Sequence, residues 1–467
     1  MKDLTVGLFN DSFPPTIDGV ANVTVNYARV IEQKYGRAVV ATPRYPDVTD
    51  DYPFEVVRYP SVYIKNEYDY RIGYPFDPKV ISHLENENLD IIHAHCPCIS
   101  AVLARTLRAS TGTPIVFTYH TKFDIDIDNL TASDLLRKVS IKALVSNIEA
   151  CDDVWVVSEG AGENLRSLGY KGDYIVMPNG TDFARGRASD EEVDALRQTY
   201  GIAPDETVFL FVGRMMWYKG VKTSLDGLLA ARQAGAKFKF LLVGGGADFD
   251  DVAAYIKEKG MQDCCIMTGA VHDREKLRSY FTLADLFLFP STFDTNGIVV
   301  REAAACSCPS LLIKGSCAAE GIEDGETGII IEDSAEQLCR RALEACADRE
   351  AMHRIGENAC ERIYISWEDA VDRAVKRYEY VLSQQPRRDD MLSIHDSLNA
   401  AYEQLITTMD MKREQMRDFA WETRDRIDSI TGNVYSEIKN ELKTEMENMT
   451  KKAHDLKKEL EQHKLTK

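Results

Sequence analysis

The sequence predicts an α/β protein of two doubly wound halves facing a cleft, followed by a helical extension. Three observations carry this. Short apolar or β-branched runs alternate with amphipathic helical stretches as far as residue 385; strand signals stop between Gly180 and Gly201 and restart at Glu206; and beyond residue 390 apolar residues recur in steps of three and four with no strand between them. Strands that alternate with helices imply parallel sheets covered on both faces.

The expected strands of the first half are Leu4–Phe9, Ala38–Thr42, Ile91–Ala94, Ile115–Tyr119, Asp153–Val157 and Tyr174–Met177. Those of the second are Val208–Val212, Phe238–Val243, Cys265–Thr268 and Asp285–Phe289. An amphipathic helix is expected from Asn22 to Tyr35, and Trp367 opens a last helix that Pro386 closes. The resulting units are 1–183, 184–366, a helix over 367–385 and a tail over 390–467. In such folds ligands bind beyond the carboxyl ends of the strands.

At 467 residues the chain is too long for one ordinary core. A formal net charge of −19 disfavours nucleic acid and any broad basic surface for anionic lipid. The 11 cysteines lack zinc-type pairing and several lie in apolar runs, which fits a reducing, cytoplasmic compartment. Leu4–Phe9 is too short for a signal peptide, and no apolar run approaches the roughly 20 residues of a membrane helix, so a soluble or peripheral protein is expected. Cys96 and Cys98 follow His93 and His95, a grouping that suggests metal, but a loop of small polar and sulfur residues explains it equally well. No metal and no cofactor are assigned.

The most informative segment is Phe289–Pro309, FPSTFDTNGIVVREAAACSCP. It sets Asp294 and Glu302 eight positions apart across a loop that ends at Gly297 and opens a helix, so both acids can face a ligand whose anionic part sits on the free N–H groups of that helix. Gly213-Arg214 and Lys219-Gly220 follow a strand, with Arg214 and Lys219 placed to reach one diphosphate. Gly244-Gly245-Gly246 reads either as a tight strand-to-helix turn or as a ligand contact. Asp18-Gly19 precedes the first helix, either as an aspartate-capped turn or as a place where backbone approaches a ligand. His120 ends a strand, where a histidine is structural or bonds a ligand hydroxyl.

In these segments the chain resembles the retaining glycosyltransferases of family 4, whose fold, GT-B, is two Rossmann-like domains across a cleft. The resemblance covers about residues 1–385. It implies that units 1–183 and 184–366 are the acceptor-side and nucleotide-sugar domains, and that the last helix crosses back to the first. It also implies a nucleotide-sugar donor held mainly by the second half. Glu302 would accept hydrogen bonds from the ribose, while Asp294 and backbone amides near Asn296, Gly297 and Ile298 would hold sugar hydroxyls. Arg214 and Lys219 would offset the departing diphosphate, Val271 would read the base through its backbone, His120 would contact the donor sugar and Gly19 the phosphate or acceptor. Ser158-Glu159-Gly160 and Pro178 to Asp182 match landmarks that line the cleft, with a role in closure.

Asp18-Gly19, where many members have two glycines, resembles the branch that glucosylates diacylglycerol. The implied reaction moves a hexose, glucose from a UDP-linked donor, to a lipid or saccharide hydroxyl without metal. A lipid acceptor would bring the protein to the inner face of the membrane. Asp294 stands where many members have glutamate and Asn296 where an aromatic is common, and both changes bear on donor choice. A nicotinamide oxidoreductase and a non-catalytic scaffold are the competing classes. The tail, with apolar steps from Leu398 to Leu460 and a break at Gly432-Asn433, reads as a coiled-coil homo-oligomer or helical hairpin, a membrane-surface helix or a solvated tail; balanced lysine and glutamate favour the first.

Overall fold

The computed structural model describes residues 3–16, 18–63, 71–123 and 134–384. The helical tail expected over 390–467 and the approach to it lie outside the described residues.

The first part of the chain runs β1 (Leu4–Phe9), α1 (Gly19–Lys34), β2 (Gly36–Pro43), β3 (Glu55–Tyr59), β4 (Ser61–Tyr63), β5 (Arg71–Gly73), α2 (Pro78–Asn86), β6 (Ile91–Ala94) and α3 (Ile99–Thr111). It continues with β7 (Ile115–Tyr119), α4 (Asp134–Glu149), β8 (Asp153–Val156), α5 (Glu159–Ser167) and β9 (Ile175–Val176). Seven of these strands form a parallel sheet in the order β3-β2-β1-β6-β7-β8-β9, and β4 and β5 make a separate antiparallel pair.

The second part runs α6 (Asp190–Tyr200), β10 (Thr207–Val212), α7 (Val221–Gln233), β11 (Phe238–Val243), α8 (Phe249–Glu258), β12 (Cys265–Gly269), α9 (Arg274–Leu283) and β13 (Leu286–Phe289). Then follow α10 (Ile298–Ala305), β14 (Ser310–Ile313), β15 (Ile329–Ile331), α11 (Ala335–Ala347), α12 (Arg349–Arg362) and α13 (Trp367–Leu382). Its parallel sheet has the order β12-β11-β10-β13-β14-β15. Both sheets are therefore doubly wound. The strand order reverses between β1 and β6 in the first and between β10 and β13 in the second, the places where such sheets open a crevice.

Burial explains the sequence pattern. All of β10 and all of β13 are buried, as strands covered by helices on both faces must be, so they read as unbroken apolar runs. Helix α1 starts three residues before the expected Asn22, because the Asp18 carboxylate accepts from Ala21 N at 2.7 Å and caps the helix there. Ser366 and Asp369 form a capping box that starts α13. One face of α13, including Trp367, Val371, Val375, Tyr378 and Val381, is buried in the core that covers β1 and α1 of the first sheet. No helix among the described residues is long and apolar enough to cross a membrane.

Candidate active site

The second sheet's crevice is built by two loops in backbone contact. The loop after β10 carries Arg214 and ends at Gly220, whose left-handed φ of 79° and close approach to the Pro290 carbonyl leave no room for a side chain. The loop after β13 starts at that proline. This approach lets Lys219 Nζ reach Asp294 Oδ1 at 2.6 Å, with side chains only 12% and 19% exposed. Ser291, fully buried, donates to Asp294 Oδ2 at 2.7 Å, and Tyr218 packs on Phe293 with ring centroids 4.5 Å apart. Cation and carboxylate are thus held at the point of strand reversal. Arg214 is exposed and forms no hydrogen bond or ion pair among the described residues, so the expected cationic couple is divided, one member engaged and one free.

Gly297 closes the loop with φ 59°, and a Cβ there would lie 2.9 Å from that of Ala318. It sets Ile298 as the first residue of α10, whose leading N–H groups have no helical partner. Asn296 is buried, its Oδ1 accepting from Arg301 at 2.9 Å while its Nδ2 has no partner. The Arg301 guanidinium, buried near Arg373, is pushed down to about 10, desolvation being the larger cause.

Glu302 lies within α10, buried, and its Oε1 accepts from Arg274 Nη2 at 2.7 Å. Burial raises its pKa above the usual glutamate value, and Arg274 opposes that rise. Arg274 also lies 3.7 Å from Asp182, whose Oδ1 accepts from Asn26 on α1 at 2.8 Å and from the Trp367 indole at 2.7 Å. A polar chain therefore runs from Glu302 to elements of the first sheet. Glu302 and Lys219 do not pair; each has its own partner.

Across the crevice, His120 follows β7. Its Nε2 lies 3.0 Å from His95 Nδ1, and burial pushes its pKa down to about 3, so the ring is neutral near pH 7 with Nδ1 unengaged among the described residues. The Thr295 hydroxyl donates to the His120 carbonyl at 2.7 Å, and the Ser158 hydroxyl donates to the Thr295 carbonyl at 2.5 Å. The loop that carries Asp294 thus rests directly on the first sheet's loops. Glu320 adds a second tie: its Oε2 and Oε1 accept from the Glu159 and Gly160 amides at 2.6 and 2.7 Å, at the head of α5.

Gly19 is the first residue of α1, with open space where a Cβ would stand, beside the Asp18 cap. Both readings of that turn fit. Val271 follows β12, half-buried against the second core. The Gly244-Gly246 question resolves toward packing: a Cβ at Gly244 would overlap the Gly213 carbonyl, and one at Gly246 would sit 2.5 Å from the Met215 carbonyl. The His–Cys grouping divides. His93 bonds Tyr378 and Thr118, both at 2.6 Å, whereas Cys96 and Cys98 gather with Asp11.

Four contributors are illegible from spacing: Arg274, Thr295, Arg301 and Glu320. Arg274 alone carries a faint signal. An arginine at the first position of a helix opposes the macrodipole, so it needs a separate reason to be there, and Glu302 supplies it.

Comparison with known proteins agrees with this geometry. Residues 17–185 match the model "Glycosyltransferase Family 4" and residues 192–362 match "Glycosyl transferases group 1". The chain is 26% identical over 311 residues to an alpha-monoglucosyldiacylglycerol synthase of Streptococcus pneumoniae, covering 66% of this chain and 70% of that one. It is 24% identical over 402 residues to the Acholeplasma laidlawii protein of the same name, covering 80% and 99%. The crystal structure of Anabaena HepE in complex with UDP superposes with a TM-score of 0.64 at 17% identity, over 81% of this chain and 100% of that one, a likeness of fold. Two doubly wound sheets, a charged crevice at the second reversal and these matches together make the chain a member of the family 4 glycosyltransferases with the GT-B fold.

Proposed function

We propose that the protein is a retaining hexosyltransferase that moves glucose from UDP-glucose to a hydroxyl of diacylglycerol or a glycolipid. The observation that supports this is the contact of Thr295 with the His120 carbonyl, which joins the loop of Asp294, itself paired with Lys219, to the loop of His120. The names of the two synthases matched above support the acceptor. The donor's diphosphate would compete with Asp294 for Lys219, be joined by Arg214 and lie at the leading N–H groups of Ile298 and its neighbours. Asp294, once released, would accept from sugar hydroxyls together with His120, and Glu302 from the ribose. Val271 would meet the base, Asn296 and Gly297 would shape the sugar pocket, and Gly19 would face phosphate or acceptor.

Lys219, Arg214 and the α10 amides supply positive charge without a cation, so transfer is expected to be independent of added Mg2+ or Mn2+. The acceptor hydroxyl would attack from the face the diphosphate leaves, its proton passing to a phosphate oxygen, and domain closure would exclude water. The domain boundary falls at 183/184, and peripheral contact with a membrane follows from a lipid acceptor. The test incubates the full chain with labelled UDP-glucose and either diacylglycerol in mixed micelles or a soluble saccharide. An α-linked glucolipid supports the proposal. Transfer only to the saccharide would overturn the acceptor, and a β-linked product would overturn the stereochemistry.

A further inference from the structure

Three side chains with no part in the transfer described above gather at the first sheet's crevice. Asp11 follows β1 and Cys96 and Cys98 follow β6, adjacent strands at which the strand order reverses. One ligand atom from each lies within 4.8 Å of the others, and all three residues are half-buried. Asp11 Oδ1 is fixed by two donors, the Tyr59 hydroxyl at 3.0 Å and the Ser100 amide at 2.8 Å. Its Oδ2 is buried without a bond of strict geometry, and the carboxylate also takes a hydrogen bond from the Cys96 thiol. Cys98 stands at the N-cap of α3 and makes no capping bond with its side chain.

A buried carboxylate hydrogen-bonded to one thiol, with a second sulfur alongside, offers a cation three ligand atoms in one place. In a tetrahedral Zn2+ site with Zn–S of about 2.3 Å the two sulfurs stand about 3.8 Å apart, and here they lie within 4.8 Å of one another, so closing on an ion needs a contraction of at most about 1 Å. Two sulfur ligands select a soft ion over Mg2+ or Ca2+. His93 is excluded as a ligand because both ring nitrogens are already bonded, to Tyr378 and Thr118. The trio Glu55, His83 and Glu87 has no sulfur and is already tied to Arg37.

We propose that Asp11, Cys96 and Cys98 bind a divalent cation of the Zn2+ class, with the fourth position open. On binding, each thiol gives its proton to buffer and the two thiolates and the carboxylate coordinate. The Tyr59 hydroxyl orients the carboxylate from behind.

The test uses reduced, metal-free full-length protein titrated with Co2+. A thiolate-to-cobalt charge-transfer band that saturates at one equivalent, shows the visible bands of a four-coordinate site and is displaced by Zn2+ is the expected result. The band should vanish in Cys96→Ser/Cys98→Ser, and Tyr59→Phe should weaken the affinity about 10-fold. On the wild-type chain, Zn2+ should slow alkylation of Cys96 and Cys98 but not of Cys339, which does not depend on any variant folding. No band, a band that persists in the double variant, unchanged alkylation, or a Cys96–Cys98 disulfide as the stable form of the reduced and re-equilibrated protein would each overturn the site.

Discussion

Replacing Glu320 with glutamine tests the tie between the two sheets directly. The Glu159 and Gly160 amides open α5 and have no intrahelical acceptor, so their protection depends on the Glu320 carboxylate. Glutamine keeps the length but turns one oxygen into a donor that faces another donor, and it removes the negative charge from a helix N-terminus. A charge-assisted bond is worth about 1.5–3 kcal/mol and the helix term about 0.3–1 kcal/mol; the half-buried position argues for the low end, giving about 2 kcal/mol. That corresponds to about a 30-fold larger open population. Hydrogen exchange read by mass spectrometry should show Glu159 and Gly160 exchanging faster by that factor while the amides of β7 stay protected. Transfer activity should fall with it. Unchanged exchange at these two amides would refute the tie, whatever happens to activity.

Arg274→Ala strands the buried Glu302 carboxylate. Breaking a buried pair costs about 3–5 kcal/mol, but Arg274 is 42% exposed, so about 1–2 kcal/mol is expected in urea unfolding, with Glu302→Gln in the same chain restoring part of it. Gly297→Ala forces a φ of 59° on a residue with a Cβ and drives it against Ala318, for a loss of about 1–2 kcal/mol seen as a lower Tm. His93, His95 and His120 all have pKa values lowered by burial, so the unfolded chain takes up protons first and stability falls as pH drops below about 6.5, continuing to about 3 for His120. Between pH 7 and 5.5 His120 should contribute about 1 kcal/mol of loss, and His120→Asn should shrink the slope by that share in unfolding measured at both pH values.

Parallel strands were legible because burial on both faces writes them as continuous apolar runs: β6, β7 and β11 begin and end where the sequence puts them. The edge strand β3 was not, since its inner face alternates with Arg58, which is tied to Asp50, and β15 has only three residues. The loop from Pro290 to Gly297 was legible as a site because a turn, two acids and a helix start coincide in one stretch. Its partners were not. Lys219 with Asp294, Arg274 with Glu302 and Thr295 with His120 are pairings across long separations, fixed by which loops the two sheets bring together. The division of His93 from Cys96 has a simple cause as well: in β6 side chains alternate, and past its end the chain turns toward Asp11.

The buried face of α13 has a consequence for biosynthesis. Trp367, Val371, Val375 and Tyr378 complete the core over β1 and α1, yet more than three hundred residues separate them from those elements. While the ribosome is still adding the second sheet, the amino-terminal sheet waits with an uncovered apolar flank, vulnerable to aggregation and open to chaperones. A chain stopped before Trp367 would keep all the strands of both sheets but leave that flank bare, so premature termination there should yield insoluble product.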